Sequence, residues 1–81
     1  MRVQILGTGC AKCKQLMANA ERAIRETGVL AHLEKVEDLR EIIRFNILMT
    51  PGLVIDGQVK AAGRVLSPEE IKRLLAAAGG N

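Results

Sequence analysis

Apolar and polar positions switch between a period of two and a period near 3.6 along this 81-residue chain, and the switches delimit its elements. Arg2 to Leu6 reads as a short strand and Gly7-Thr8-Gly9 as the turn that leaves it. From Ala11 to Thr27 the apolar residues Leu16, Met17, Ala20, Ala23 and Ile24 recur at helical spacing. Lys14, Asn19, Arg22, Arg25 and Glu26 fall on the opposite side, and Gly28 ends the run. Val29 to Val36 begins apolar and then alternates, as expected of a strand near a sheet edge. Asp38, with Glu41 three residues on, has the form of an Asp capping box. Leu39, Ile42 and Ile43 then give a short helix running to Phe45 one apolar face, and Asn46 tolerates the left-handed backbone that ends it.

Leu53-Val54-Ile55 is continuously apolar, which suits a central strand covered on both faces. Asp56-Gly57 is a two-residue hairpin signal before the edge strand Gln58 to Ala62. In the last helix Ser67 caps, Pro68 takes the first position, Glu70 completes a capping box and Leu66 staples onto Ile71. Ile71, Leu74, Leu75 and Ala78 form its buried face, Gly79 stops it, and Gly79-Gly80-Asn81 reads as a loose tail. The order is strand, helix, strand, helix, strand, strand, helix, with a parallel crossover early and a hairpin late. Residues 1–81 are expected to form one small domain, without repeats or linkers.

Composition narrows the function. Phe, Trp and Tyr together are 1% of the chain, with Phe45 the only ring of the core, so base stacking is nearly excluded as a basis for nucleic-acid binding. The net charge of +3 arises from mixed charges with no run that reads as a nucleic-acid arm or membrane patch. No apolar stretch has membrane-spanning length, and Met1-Arg2-Val3 moves directly into a strand without the form of a secretory signal. A cytoplasmic location is therefore expected. In that reducing compartment a lone cysteine pair is catalytic or metal-binding rather than structural.

Cys10 and Cys13 stand three positions apart in Thr8-Gly9-Cys10-Ala11-Lys12-Cys13-Lys14, between the first strand and the first helix. A helix start carries unpaired amide groups and about half a positive charge, which favours a thiolate over a thiol. Cys10 sits at that terminus, whereas Cys13 projects onto the buried stripe of Leu16, Met17, Ala20 and Ile24. The spacing predicts one exposed and one sheltered sulfur: Cys10 as nucleophile and Cys13 as resolving thiol, with Lys12 and Lys14 adding positive charge. Other readings stand beside this one. Two small buried hydrophobes could share the spacing, and so could a soft-metal carrier holding copper or zinc on its thiolates, although two sulfurs fall short of a closed zinc site. His32, the only histidine, lies in the second strand away from the pair, and Met17 belongs to the core stripe, while Met49 is left open. The glycines of Gly7-Thr8-Gly9 do not form a nucleotide loop, since Lys12 stands where a third glycine belongs.

Taken with the order of elements, Gly9-Cys10-Ala11-Lys12-Cys13 resembles the thioredoxin and glutaredoxin superfamily, most closely its small redox-active disulfide proteins of archaea and bacteria. Met49-Thr50-Pro51-Gly52-Leu53-Val54-Ile55-Asp56-Gly57 is similar to the superfamily's Thr-Pro segment. The resemblance implies an α/β minimal thioredoxin fold, a four-stranded mixed sheet with helices on both faces. It implies that Pro51 is cis and faces the cysteines, that the Thr50 backbone pairs with an extended partner, and that Gly63 keeps the docking groove open. It also implies thiol–disulfide exchange without a bound organic cofactor, by a monomer that meets disulfide-containing proteins or small-molecule thiols and is recharged by an upstream reductase. The chain departs from thioredoxins in having Gly9 where they carry Trp, and Ala11-Lys12 where they carry Gly-Pro. Its first strand also lacks the buried aspartate they use as a proton relay. Metallochaperones likewise place C-x-x-C after a first strand, but their second strand runs straight into a third, where this chain inserts the Leu39 to Phe45 helix. A noncatalytic interaction module on the same scaffold would have no need of both sulfurs.

Overall fold

A computed structural model describes residues 1–79, so the expected tail lies outside the described residues from Gly80 onward. The chain runs β1 (Arg2–Leu6), α1 (Ala11–Thr27), β2 (His32–Val36), α2 (Leu39–Arg44), β3 (Gly52–Ile55), β4 (Gln58–Ala62) and α3 (Pro68–Ala78). The four strands form one mixed sheet in the order β2-β1-β3-β4. β1 pairs parallel with β2 and antiparallel with β3, and β3 pairs antiparallel with β4. The α/β class, the order of elements and the expected minimal thioredoxin fold are all met.

Side-chain alternation along the two central strands divides the core. Val3 and Ile5 of β1, with Leu53 and Ile55 of β3, pack with Leu16, Ala20 and Ala23 of α1 and Ile71 and Leu75 of α3. On the other face Leu6, Val36 and Val54 pack with Ile42 of α2, flanked by Phe45 and Ile47. Helices therefore cover both faces, and the continuous apolar run Leu53-Val54-Ile55 is buried on each. Gln4, the one buried polar residue among those described, points into the α2 side and donates from Nε2 to Glu34 Oε1 at 2.9 Å. Glu26 ties α1 to α3: Lys72 and then Arg22 hold its carboxyl down to about 2.

Local chemistry sets the turns and ends. Asp56 (φ 48°) and Gly57 (φ 83°) both take the left-handed backbone of a tight hairpin, and the pairing shifts by one residue so that Lys60 bulges from β4. Asn46 (φ 57°) ends the α2 segment as expected. The α3 capping box is complete, with Ser67 N donating to Glu70 Oε1 and Glu70 N donating to Ser67 Oγ, each at 3.1 Å.

Two elements differ from expectation. β2 begins at His32 rather than Val29, because its only strand neighbour is β1, and the ladder opens at the Arg2–His32 pair. Beyond it a bond from His32 N to Met1 O at 2.8 Å closes the edge, and Leu30 is left exposed. In α2 the apolar face is not Leu39, Ile42 and Ile43: Ile42 is buried, but Leu39 and Ile43 are 62% and 68% exposed. A helix of six residues spans less than two turns and rests on the sheet through one row, Ile42 with Phe45. Its cap is also simpler than a box, since Asp38 Oδ1 accepts from Arg40 N at 2.8 Å.

Ser67→Ala removes the oxygen that satisfies the Glu70 amide. We expect a loss of about 1 kcal/mol, measured as a lower denaturation midpoint at unchanged denaturant slope.

Candidate active site

The end of β1 meets the start of α1 at Gly7-Thr8-Gly9-Cys10. Gly7 N still donates to Val36 O at 3.0 Å, extending the β1–β2 ladder by one step before the chain turns. Gly9 then takes φ 88°, a backbone suited to glycine, and Cys10 is the extended N-cap of α1. The Cys10 sulfur occupies the place of a capping oxygen and accepts from Cys13 N at 3.4 Å. Lys14 N donates to Cys10 O at 3.0 Å, so the first turn is closed around the pair.

Cys10 is exposed and Cys13 is 5% exposed, with their Sγ atoms 2.8 Å apart. That separation is longer than the ~2.05 Å of a disulfide bond and lets the two sulfurs share one proton. Their acidities move in opposite directions. The Cys10 thiol is pulled below its ordinary 9.0, first by the hydrogen bond from Cys13 Sγ, then by the Cys13 amide, with the Lys12 amide contributing further. The Cys13 thiol is pushed above 9.0, first by burial and then by its hydrogen bond to Cys10. The arrangement makes the exposed thiol of the pair the more acidic one and the buried thiol the less acidic. Of the lysines, Lys12 acts on Cys10 through its backbone, and the Lys14 side chain lines a pocket beside Cys13.

Gly7 makes room for the buried sulfur. A Cβ at Gly7 would lie 2.2 Å from Cys13 Sγ and 3.9 Å from Thr50 Cβ, so only a hydrogen fits between the β1 end, Cys13 and Thr50. The Thr50–Pro51 peptide bond is cis, and Pro51 is buried. Gly63 (φ 84°) stands behind this segment, its N–H donating to Pro51 O at 2.8 Å. A Cβ at Gly63 would come within 3.0 Å of Met49 Cβ, so the glycine lets exposed Met49 lie over it. Thr50 thus lies near Gly7 as Cys13 does, Pro51 follows it in the chain, and Gly63 bonds to Pro51. His32 sits at the opposite end of the β1–β2 ladder, four residues and roughly 13 Å from Val36. Its Nε2 lies 3.6 Å from Glu34 Oε2, away from the sulfurs. Met17 packs against the larger core.

A second feature escaped the sequence. A pocket of about 160 Å³ opens beside Cys13, with Lys35 and Glu37 on its wall. Register could have found them: Leu6 pairs with Val36, which sets Glu37 level with Gly7. Nor does a turn glycine by itself tell that Gly7 clears the buried sulfur. Among the described residues no three His, Cys, Asp or Glu side chains converge as a metal-binding set.

The family model that describes a thioredoxin domain matches residues 1–76. The chain belongs to the thioredoxin family. A thioredoxin of Methanothermobacter thermautotrophicus is 45% identical over 75 residues, covering 93% of this chain and 97% of its own. A thioredoxin of Methanocaldococcus jannaschii is 40% identical over 73 residues, covering 90% of this chain and 84% of its own. The protein is accordingly a thiol–disulfide oxidoreductase. No helix among the described residues is long and apolar enough to cross a membrane.

Two outcomes are expected from this geometry. In the reduced protein, alkylation followed against pH modifies Cys10 with a midpoint below 9.0, while Cys13 resists modification until higher pH. Gly7→Ala forces Cys13 or the β1 end to shift and costs about 1–3 kcal/mol, read by denaturation of the reduced protein.

Proposed function

We propose that Cys10 attacks the disulfide of a partner and that Cys13 resolves the adduct, so that two electrons pass from this pair to the partner. In the first step the Cys10 thiolate displaces one partner sulfur as a thiolate and forms a mixed disulfide. In the second, the Cys13 sulfur attacks Cys10 Sγ, the Cys10–partner bond breaks, and the partner leaves fully reduced as Cys10–Cys13 closes. The single observation that carries this reading is the exposed N-cap sulfur beside a buried one. It gives the two cysteines different acidities within one turn of helix.

The substrate is a disulfide-containing protein or a small-molecule thiol in its oxidised form. An extended partner pairs with the Thr50 backbone and packs on Pro51, gaining affinity from main-chain groups with little sequence preference. Gly63 keeps this docking strip in place from behind. Lys12 and Lys14 add positive charge around the Cys10 thiolate. An upstream reductase returns the pair to the dithiol, with no bound organic cofactor in the chain itself. Residues 1–81 act as one domain and a monomer in the cytoplasm, where a lone pair of cysteines cycles rather than remaining oxidised.

Cys10→Ser is expected to abolish turnover of a disulfide substrate. Cys13→Ser is expected to attack once and stall, giving an adduct visible by mass and on non-reducing gels. Equal loss of activity in both variants with no adduct overturns the assigned roles.

A further inference from the structure

Resolution poses a problem of protons that rests on the reading above. Cys13 attacks only as a thiolate. Its burial holds the proton on, and the neighbour that shares that proton in the dithiol is unavailable at this moment, because Cys10 Sγ is bonded to the partner. β1 offers no acid, its inward side chains being Val3, Gln4, Ile5 and Leu6. The acceptor must come from another element.

We propose that Glu37 receives the Cys13 proton through water in the pocket between them. Gly7, Gly9, Cys13, Lys14, Lys35 and Glu37 line that pocket, and its volume of about 160 Å³ leaves space for several waters at roughly 30 Å³ each. Glu37 follows β2 directly, where the parallel register brings it level with Gly7, the residue whose missing side chain makes room for Cys13 Sγ. Its Oε2 lies 3.4 Å from the point a Cβ on Gly9 would occupy, so the carboxylate reaches over the turn that carries the cysteines. It is the only carboxylate of the pocket, and among the described residues it forms no ion pair.

The other charged groups facing Cys13 suit the step. Lys14 from α1 and Lys35 from β2 present ammonium groups, which cannot accept a proton but lower the cost of the sulfur anion that forms. Ile5 and Met17 close the apolar side of the pocket and direct water toward the polar side. The proton leaves Cys13 Sγ through water to a Glu37 oxygen, the Cys13 thiolate attacks Cys10 Sγ, and the departing partner thiolate takes up a proton from Glu37 or from solvent. Glu37 touches neither substrate nor sulfur, so it is a positioning residue that acts through water.

The sign of the effect separates this role from simple electrostatics. A carboxylate near Cys13 opposes the thiolate, so as a bystander its removal would speed resolution; as the proton acceptor, its removal slows it. With 5,5′-dithiobis(2-nitrobenzoic acid) as substrate, attack by Cys10 and resolution by Cys13 each release one coloured thiolate, in two phases. Glu37→Gln is expected to slow the second phase near pH 7 on the order of tenfold to a hundredfold. It is expected to rejoin the wild type at alkaline pH, where hydroxide ionises Cys13. Glu37→Asp should recover part of the rate, and added formate should restore the second phase in Glu37→Ala. Glu21→Gln, on the exposed side of α1, should leave both phases unchanged. A second phase in Glu37→Gln that is unchanged, faster, or slowed equally at every pH overturns the proposal. Failure of the underlying roles would look different: Cys13→Ser would then release both thiolates, or Cys10→Ser would keep the first phase.

Discussion

A helix that begins on a sulfur couples the fold to its chemistry. N-caps are ordinarily Ser, Thr, Asp or Asn, whose oxygens satisfy an amide of the first turn. Here Cys10 Sγ takes that place and accepts from Cys13 N, so the group that terminates α1 is also the group made more acidic by it. The first turn of α1 contains no acidic side chain to compete for those amides. Because the groups that lower the Cys10 pKa, the Cys13 thiol first and then peptide N–H groups, are all carried by the cap and first turn of the 17-residue helix, no charged side chain need be held in one rotamer. Whatever anchors α1 on the sheet, chiefly Leu16, Ala20 and Ala23, therefore also fixes the electrostatics of Cys10.

The difference between the two sulfurs follows from the helix period. Three positions after the cap, Cys13 has turned toward the stripe of Leu16 and Ala20, and the β1 end lies directly beneath it. Gly7 is the concession that allows this approach: any Cβ there would collide with Cys13 Sγ. Thr50 comes near the same glycine because Gly52 pairs with Leu6 and carries the preceding residues alongside the turn. Ladder register, helix phase and one missing side chain thus assemble the site from three separate stretches of chain.

Local patterns made much of this legible. The helical stripe of α1, the Ser67-Pro68-Glu70 start of α3 and the Asp56-Gly57 turn are each decided by residues within one turn of one another, and each was met. What failed depended on neighbours distant in sequence. The start of β2 is set by where β1 begins, and the exposed Leu39 and Ile43 follow from how little of the sheet a six-residue helix can cover. At the site, the placement of Cys10 and Cys13 was readable from spacing alone. The role of Gly7 was not, because a glycine after a strand looks the same whether it makes a turn or clears a sulfur. Glu37 was hidden for a related reason: nothing in its own segment points to the cysteines until Leu6 is paired with Val36.

The departures from other thioredoxins make sense on the same footing. The residues between the cysteines, Ala11 and Lys12, are exposed, and Lys12 acts on the Cys10 thiol through its backbone amide, so their side chains are free to differ. A buried acid on β1 would have to occupy Gln4 or Leu6 on the α2 face, or Val3 or Ile5 on the α1 face. Three of these residues lie in the two apolar clusters and are at most 2% exposed, so an ionised carboxylate there would face a severe desolvation cost in so small a core. A carboxylate at the open end of β2 avoids that cost, reaching the buried sulfur through a wet pocket instead of from within the core. In a chain this short, keeping the core apolar and moving the polar chemistry to the rim leaves folding and proton traffic to different residues.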